Sequence, residues 1–243
     1  MDFGAPIRDL GPVDIAPLQQ LIEGLPEEAW TRNTLRQEIL SNDVHSVSQN
    51  ILFKTEWHSS AHGSKLSYFE DLVWIWCKQK GFDPSGFMPI AKEETDIWPV
   101  YTFPDWLAYK EVLEPIVQQV IRPLRTETGV VTRLALVRLP AGAHIPPHID
   151  GQVMATRAHR IHVPVSLSPS VEYKIDGRKI TMVPGRAYDF NNRVRHSVRN
   201  KGRRPRVNLF VDYYPNPGVA VIDPLAAAMK PVYAPPTPLQ RLI

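Results

Sequence analysis

The chain is 243 residues long, with 43% hydrophobic residues, 22% charged residues and a formal net charge of +3. That length suffices for one sizeable barrel-and-helix domain, and no apolar run approaches the ~20 residues of a membrane-spanning helix. The single cysteine, Cys77, excludes an internal disulfide framework, and so small a charge does not by itself point to nucleic acid.

The first residues, MDFGAPIRDLGPVDI, lack a basic segment followed by an apolar run, so no secretory leader is expected and the cytoplasm is the expected compartment. Asp14 is placed to cap a short helix carrying Ile15, Leu18, Leu21 and Ile22, which Pro26 closes. The run SQNILFK, residues 48–54, has strand character and leads into a Ser/Gly-rich loop containing Trp57, His58 and His62. Ser67 and Glu70 form a capping-box pattern before LVWIWCKQK, with Gly81 as a stop. The aromatic residues Phe69, Trp74, Trp76 and Trp106 fall at helical spacing and read as core. Pro104 and Asp105 open a further helix that meets Pro115 and resumes to about Arg122, as one kinked helix or two. The first half is therefore expected to be helical.

From Thr132 the texture changes to short strands separated by turn residues, at about 132–139, 144–149, 160–167, 171–175, 179–183, 186–190, 195–199 and 206–214. Eight strands suit a jelly roll. Asp176-Gly177 predicts a tight hairpin, and Asn200-Lys201-Gly202 predicts another. Pro215 to Ile243 contains seven prolines and reads as an extended surface tail. The expected fold is mainly β with flanking helices, a double-stranded β-helix (jelly roll) with an α-helical N-terminal half. It forms one domain over 1–243, with helical support and substrate-side elements at 1–131, the β-helix core at 132–214 and the tail at 215–243.

His148-Ile149-Asp150 places an imidazole and a carboxylate two residues apart, on the same side of an extended strand. An HxD pair alone is weak evidence of metal binding. His196, on a later strand, supplies a second imidazole, and two histidines with one carboxylate form the facial set that holds Fe(II) with open positions. Arg206 starts the strand RVNLFVDYY, in which Val207, Leu209 and Val211 face one side and Arg206, Asn208, Phe210 and Asp212 the other. An arginine on the inward side needs an anion, and a carboxylate co-substrate would supply it.

The run PAGAHIPPHID, then RIHVPV, then His196 and Arg206, resembles the aspartyl/asparaginyl β-hydroxylase family of Fe(II)/2-oxoglutarate dioxygenases, whose members include bacterial proline cis-hydroxylases. The matching motifs lie within about 133–214. The resemblance implies that His148, Asp150 and His196 bind iron and serve as the catalytic centre, and that Arg206 grips the distal carboxylate of 2-oxoglutarate. It also implies that Arg160 and His162 contact co-substrate or substrate carboxylates. Vertebrate-type members carry glycine where Asp150 stands, so this chain is more similar to the bacterial amino-acid hydroxylases, and the carboxylate argues against halogenation. The implied reaction converts 2-oxoglutarate and O₂ to succinate and CO₂ while hydroxylating an unactivated C–H bond of an amino acid, peptide or related substrate.

Arg157, Arg138 and Arg195 are candidate anchors for a substrate carboxylate, and His58 a candidate on a lid-like loop. His144 reads as a surface residue and His159 as an exposed one. Seven of the fourteen residues from Arg193 to Arg206 are lysine or arginine, with no interleaved aromatics for base stacking, so solvated charge is expected rather than nucleic-acid binding. A small-molecule or peptide substrate is the expected partner, with no membrane. Two other readings remain: a cupin-like metal-binding barrel, whose first motif normally offers HxH and a following glutamate, and a non-catalytic jelly-roll interaction module.

Overall fold

Residues 1–31, 46–56, 82–83, 97–103, 105–150, 157–215, 220–222 and 230–231 are described by a computed structural model. In chain order the elements are β1 (Ile7–Pro12), α1 (Ala16–Glu23), α2 (Glu27–Thr31), β2 (Gln49–Glu56), β3 (Phe82–Asp83), β4 (Ile97–Thr102), α3 (Asp105–Ile121), β5 (Gly129–Leu139) and β6 (His144–His148). They continue with β7 (His159–Ser166), β8 (Val171–Ile175), β9 (Arg178–Ile180), β10 (Arg186–Phe190), β11 (His196–Asn200), β12 (Arg206–Pro215), β13 (Ala220–Ile222) and β14 (Lys230–Pro231). No helix among the described residues is long and apolar enough to cross a membrane.

Alternation along β12 divides the interior into two cores. Val207, Leu209 and Val211 join a cluster with Leu18 and Leu21 of α1 and Leu113, Ile116, Val117 and Val120 of α3. The opposite face looks toward a second cluster that includes Tyr173, Ile175, Tyr188, Phe190 and Val198. Period two puts these two sets on opposite faces of one strand. The larger sheet therefore separates a helix-backed layer from an inter-sheet layer.

That larger sheet has the order β1-β10-β7-β12-β5-β2-β4-β13, and the smaller one β6-β11-β8-β9. Strands β5 to β12 alone give four neighbours in each sheet, β10-β7-β12-β5 facing β6-β11-β8-β9, which is the jelly-roll arrangement. All their pairings are antiparallel. The short β14 pairs with β3, and β13 runs parallel to β4.

The α-helical N-terminal half is not supported. Among the described residues that half holds α1, α2 and α3, but it also sends β1, β2 and β4 into the larger sheet, where they pair with β10, β5 and β2. IRDLGP lacks an apolar alternation because β1 is an edge strand whose partner is far away in sequence, and local patterning carries no record of such a partner. The predicted helix over residues 67–80, the loop with His58 and His62, and nearly all of the Pro-rich tail lie outside the described residues. The helix at α3 is a single one, continuous through Pro115. Asp14 does not cap α1 by its N-cap position, which Ile15 takes, although its Oδ1 accepts the Ala16 N–H at 3.1 Å.

Asp176-Gly177 forms the predicted two-residue turn between β8 and β9, with φ of 51° and 71° at the two residues. Asn200-Lys201-Gly202 is not a hairpin. It carries the chain from β11 in the smaller sheet to β12 in the larger. The buried Asn200 amide nitrogen lies 3.2, 3.1 and 2.9 Å from the carbonyl oxygens of Leu139, Pro140 and Arg204, and Oδ1 accepts the Gly202 N–H at 3.0 Å. A turn signature and a sheet-switching corner use the same residues, so sequence alone does not distinguish them.

Candidate metal centre and its anion-binding neighbour

Antiparallel pairing of β6 with β11 sets His148 directly opposite His196. Their ring centroids are 4.3 Å apart. Asp150 lies just beyond β6, where its backbone N–H donates to Asn192 O at 3.2 Å. The ligand atoms of His148, Asp150 and His196 all fall within 4.8 Å of one another. Asp150 Oδ1 is 3.4 Å from His148 Nε2, and Oδ2 is 3.8 Å from His196 Nε2. Ile149 does not pack into an opposite layer as alternation suggests, because the strand has ended there and its side chain is exposed.

The donor set fits a metal ion. His148 Nδ1 lies 2.9 Å from Pro146 O, and His196 Nδ1 lies 2.9 Å from Val194 O. A carbonyl only accepts, so each Nδ1 carries its proton and each neutral ring presents the Nε2 lone pair. Burial lowers the His196 pKa, more than the nearby Asp150 carboxylate raises it. The neutral, ligating form is thereby favoured. Phe190 packs edge-on against the His196 ring at 5.3 Å.

Arg206 is buried on the inward face of β12, its Nε donating to Tyr173 Oη at 2.7 Å and its guanidinium carbon 5.2 Å from that ring's centroid. Among the described residues no carboxylate pairs with it. His162 on β7 sits between Phe190 and Phe210, at 4.9 and 5.1 Å. Burial, reinforced by the Arg206 and Arg160 charges, holds its pKa well below the usual histidine range. Its Nδ1 lies 3.3 Å from Asn208 Nδ2, which leaves Nε2–H as the ring's donor.

Arg160 also faces this interior, but it is engaged within the protein. Its Nε and Nη2 donate to the two oxygens of Asp212 at 3.0 and 2.7 Å, and its Nη1 donates to Asp150 Oδ2. Burial alone would lower its pKa, but Asp150 and Asp212 outweigh that and raise it. Among the described residues its guanidinium thus holds two aspartates. Arg138 is likewise not at the site. Alternation turns it to the helix side of β5, where both Nη atoms bond Glu27, Nε bonds Gln49 at 2.7 Å, and Trp30 stacks at 4.9 Å.

Arg195 stands at the outer rim, with Nη1 3.2 Å from Pro147 O. Arg157 is exposed, and His58 is outside the described residues. His144 is exposed as expected. His159 is not: it is buried with Nδ1 2.8 Å from Asp189 Oδ2, an acid on the neighbouring β10 that sequence spacing does not reveal. Sequence reasoning also missed Tyr173 and the role of Asp212. Asp212 was legible as inward-facing, but its register opposite Arg160 was not.

Comparison with solved structures gives distant likenesses. A 2OG-Fe(II) oxygenase family oxidoreductase from Burkholderia pseudomallei is 15% identical, over 55% of this chain and 63% of that one, with a TM-score of 0.39. A non-heme monooxygenase described as a ThoJ-Ni complex is 11% identical over 94% of this chain and 76% of that one, at 0.42. A cupin domain of a transcriptional regulator from Enterobacter cloacae is 20% identical over 37% and 97%, at 0.29. The chain thus spans less than two thirds of the Burkholderia protein. No curated protein matches. The family model for aspartyl/asparaginyl beta-hydroxylase matches residues 85–215. Because that match runs over more than half of the sequence and extends past Arg206, the chain belongs to the aspartyl/asparaginyl β-hydroxylase family.

Proposed function

We propose that this protein is an Fe(II)- and 2-oxoglutarate-dependent dioxygenase that hydroxylates an unactivated C–H bond of an amino-acid, peptidyl or related substrate, releasing succinate and CO₂. The observation that carries the reading is the conjunction of three ligand atoms within 4.8 Å with a buried Arg206 on the sheet that faces them. His148, Asp150 and His196 would hold the iron, which would supply O₂ activation coupled to oxidative decarboxylation. Arg206, its guanidinium oriented by Tyr173, would hold the distal carboxylate of 2-oxoglutarate by charge-assisted hydrogen bonds. His162 would present Nε2–H to an oxygen of the bound acid. Phe190 and Phe210 line the same interior with apolar surface that excludes water around it. The Asp150 carboxylate favours hydroxylation over halide transfer by filling the third protein ligand position.

The test measures succinate released with Fe(II), 2-oxoglutarate and O₂ against a panel of free amino acids and short peptides. The wild-type protein is expected to form succinate with at least one of them. His196→Ala is expected to abolish turnover. Arg206→Ala is expected to raise the apparent KM for 2-oxoglutarate by about 30-fold or more, the cost of truncating one partner of a buried charge pair being about 2–5 kcal/mol. Turnover unaffected by both substitutions would refute the proposal.

A further inference from the structure

Five ionisable side chains, acids alternating with arginines, cross the larger sheet in a row that ends at the metal centre. Glu56 on β2 accepts from Arg133 Nη2 on β5 at 2.6 Å. Arg133 Nε lies 4.0 Å from Asp212 Oδ2 on β12. Asp212 receives both Nε and Nη2 of Arg160 on β7, and Arg160 Nη1 reaches Asp150. The strand register itself builds the row, because Asp212 is paired with Arg133 on one side and with Arg160 on the other. Glu56, Asp212 and Arg160 are all buried. Phe210 lies under the Arg160 guanidinium at 4.9 Å.

Buried ions are an expensive way to stabilise a sheet, since desolvation costs several kcal/mol per ion and apolar replacements often do as well. What such a row provides is direction. A bidentate aspartate fixes the plane of a guanidinium fork. With Nε and Nη2 on Asp212, the Arg160 fork has one orientation, and its remaining Nη1 points at Asp150 Oδ2. Oδ1 is the oxygen that stands 3.4 Å from His148 Nε2.

We infer that Asp212, Arg160 and the Arg133–Glu56 pair behind them are positioning residues that brace the Asp150 carboxylate for metal binding. Arg160 acts in this through Asp150. The inference rests on the proposed metal centre. Asp212 touches neither ion nor substrate, yet it sets the geometry of a ligand on a different sheet segment. Partners of ligating groups that act in this way typically account for 10- to 100-fold in metal affinity.

The test is a Co(II) titration of the full chain, followed by visible absorption, which reports ligand number and symmetry independently of turnover. Asp212→Asn is expected to weaken Co(II) binding 10- to 100-fold and to alter the absorption envelope of the saturated site. In an Asp150→Ala background the same substitution is expected to change affinity less than twofold, because the brace has lost what it holds. Wild-type affinity in Asp212→Asn, or an undiminished effect of it without Asp150, would overturn the inference. If Asp212→Asn does not fold, the pair Arg160→Met with Asp212→Leu removes both charges together. That protein is expected to fold and to show the same weakening, and full affinity in it would overturn the brace. Co(II) binding that survives both His148→Ala and His196→Ala would instead overturn the metal centre and the brace with it. Loss in those variants but not in Asp212→Asn would sink the brace alone.

Discussion

Arg206 and Tyr173 come from strands of different sheets, and among the described residues the hydrogen bond between them is the polar contact that aims the guanidinium. A hydrogen bond to a charged group is worth about 1.5–3 kcal/mol. On the proposed function, Tyr173→Phe is expected to raise the KM for 2-oxoglutarate about tenfold and to leave kcat within twofold, measured by steady-state kinetics. His162 makes a second residue-level prediction. Its folded-state pKa is held below the ordinary value by burial first and then by Arg206 and Arg160. Between about pH 6.5, where an unfolded histidine protonates, and that lower value, the unfolded chain binds the extra proton. Stability contributed by the neutral ring is therefore present above about pH 6.5 and is lost as pH falls. Thermal melts of metal-free protein from pH 7.5 to 5 are expected to decline less steeply in His162→Gln than in wild type. Equal slopes would assign the acid sensitivity to other groups.

At the scale of elements, the strands from β5 to β12 were legible because most carry β-branched or alternating residues and are bounded by turn residues. The turn at Asp176-Gly177 is the clearest case. Both residues have positive φ, and a Cβ on Gly177 would meet nothing within 4 Å. The cost of Gly177→Ala is thus conformational, about 1–2 kcal/mol, and should appear as a lower urea midpoint. Asp176→Asn is expected to be close to neutral, since asparagine tolerates the left-handed region. What sequence could not supply was register. His148 opposite His196, Asp212 opposite Arg160 and Arg138 turned to Trp30 all depend on which strands and helices meet, and although SQNILFK was legible as the strand β2, its place beside β5 was not. His159 was misjudged for the same reason, since its partner Asp189 is thirty residues away.

Across the whole molecule, the three candidate ligands come from β6, the segment beyond it, and β11, while Arg160 connects Asp150 to the larger sheet. An ion would therefore clip together the end of the smaller sheet and, through Arg160, its neighbour. Saturation at a hundred times Kd adds about 2.7 kcal/mol to folded-state stability, or roughly 5–10 °C in Tm for a chain of this size. Addition of Co(II) is expected to raise the melting temperature of the wild type by that amount and to leave His148→Ala unchanged. An equal rise in both would locate the binding elsewhere.

Asn200 gives the corner between β11 and β12 a consequence at this same scale. The eleven-residue stretch from His196 to Arg206 is one covalent segment, and at its bend the Asn200 carboxamide ties the end of β5 to Arg204, just before β12. The two side chains at its ends work like the jaws of a caliper. On the proposed function, this corner would set the spacing between the iron ligand and the 2-oxoglutarate anchor through local backbone, so that breathing of the roll elsewhere would leave the span open to a diacid unchanged.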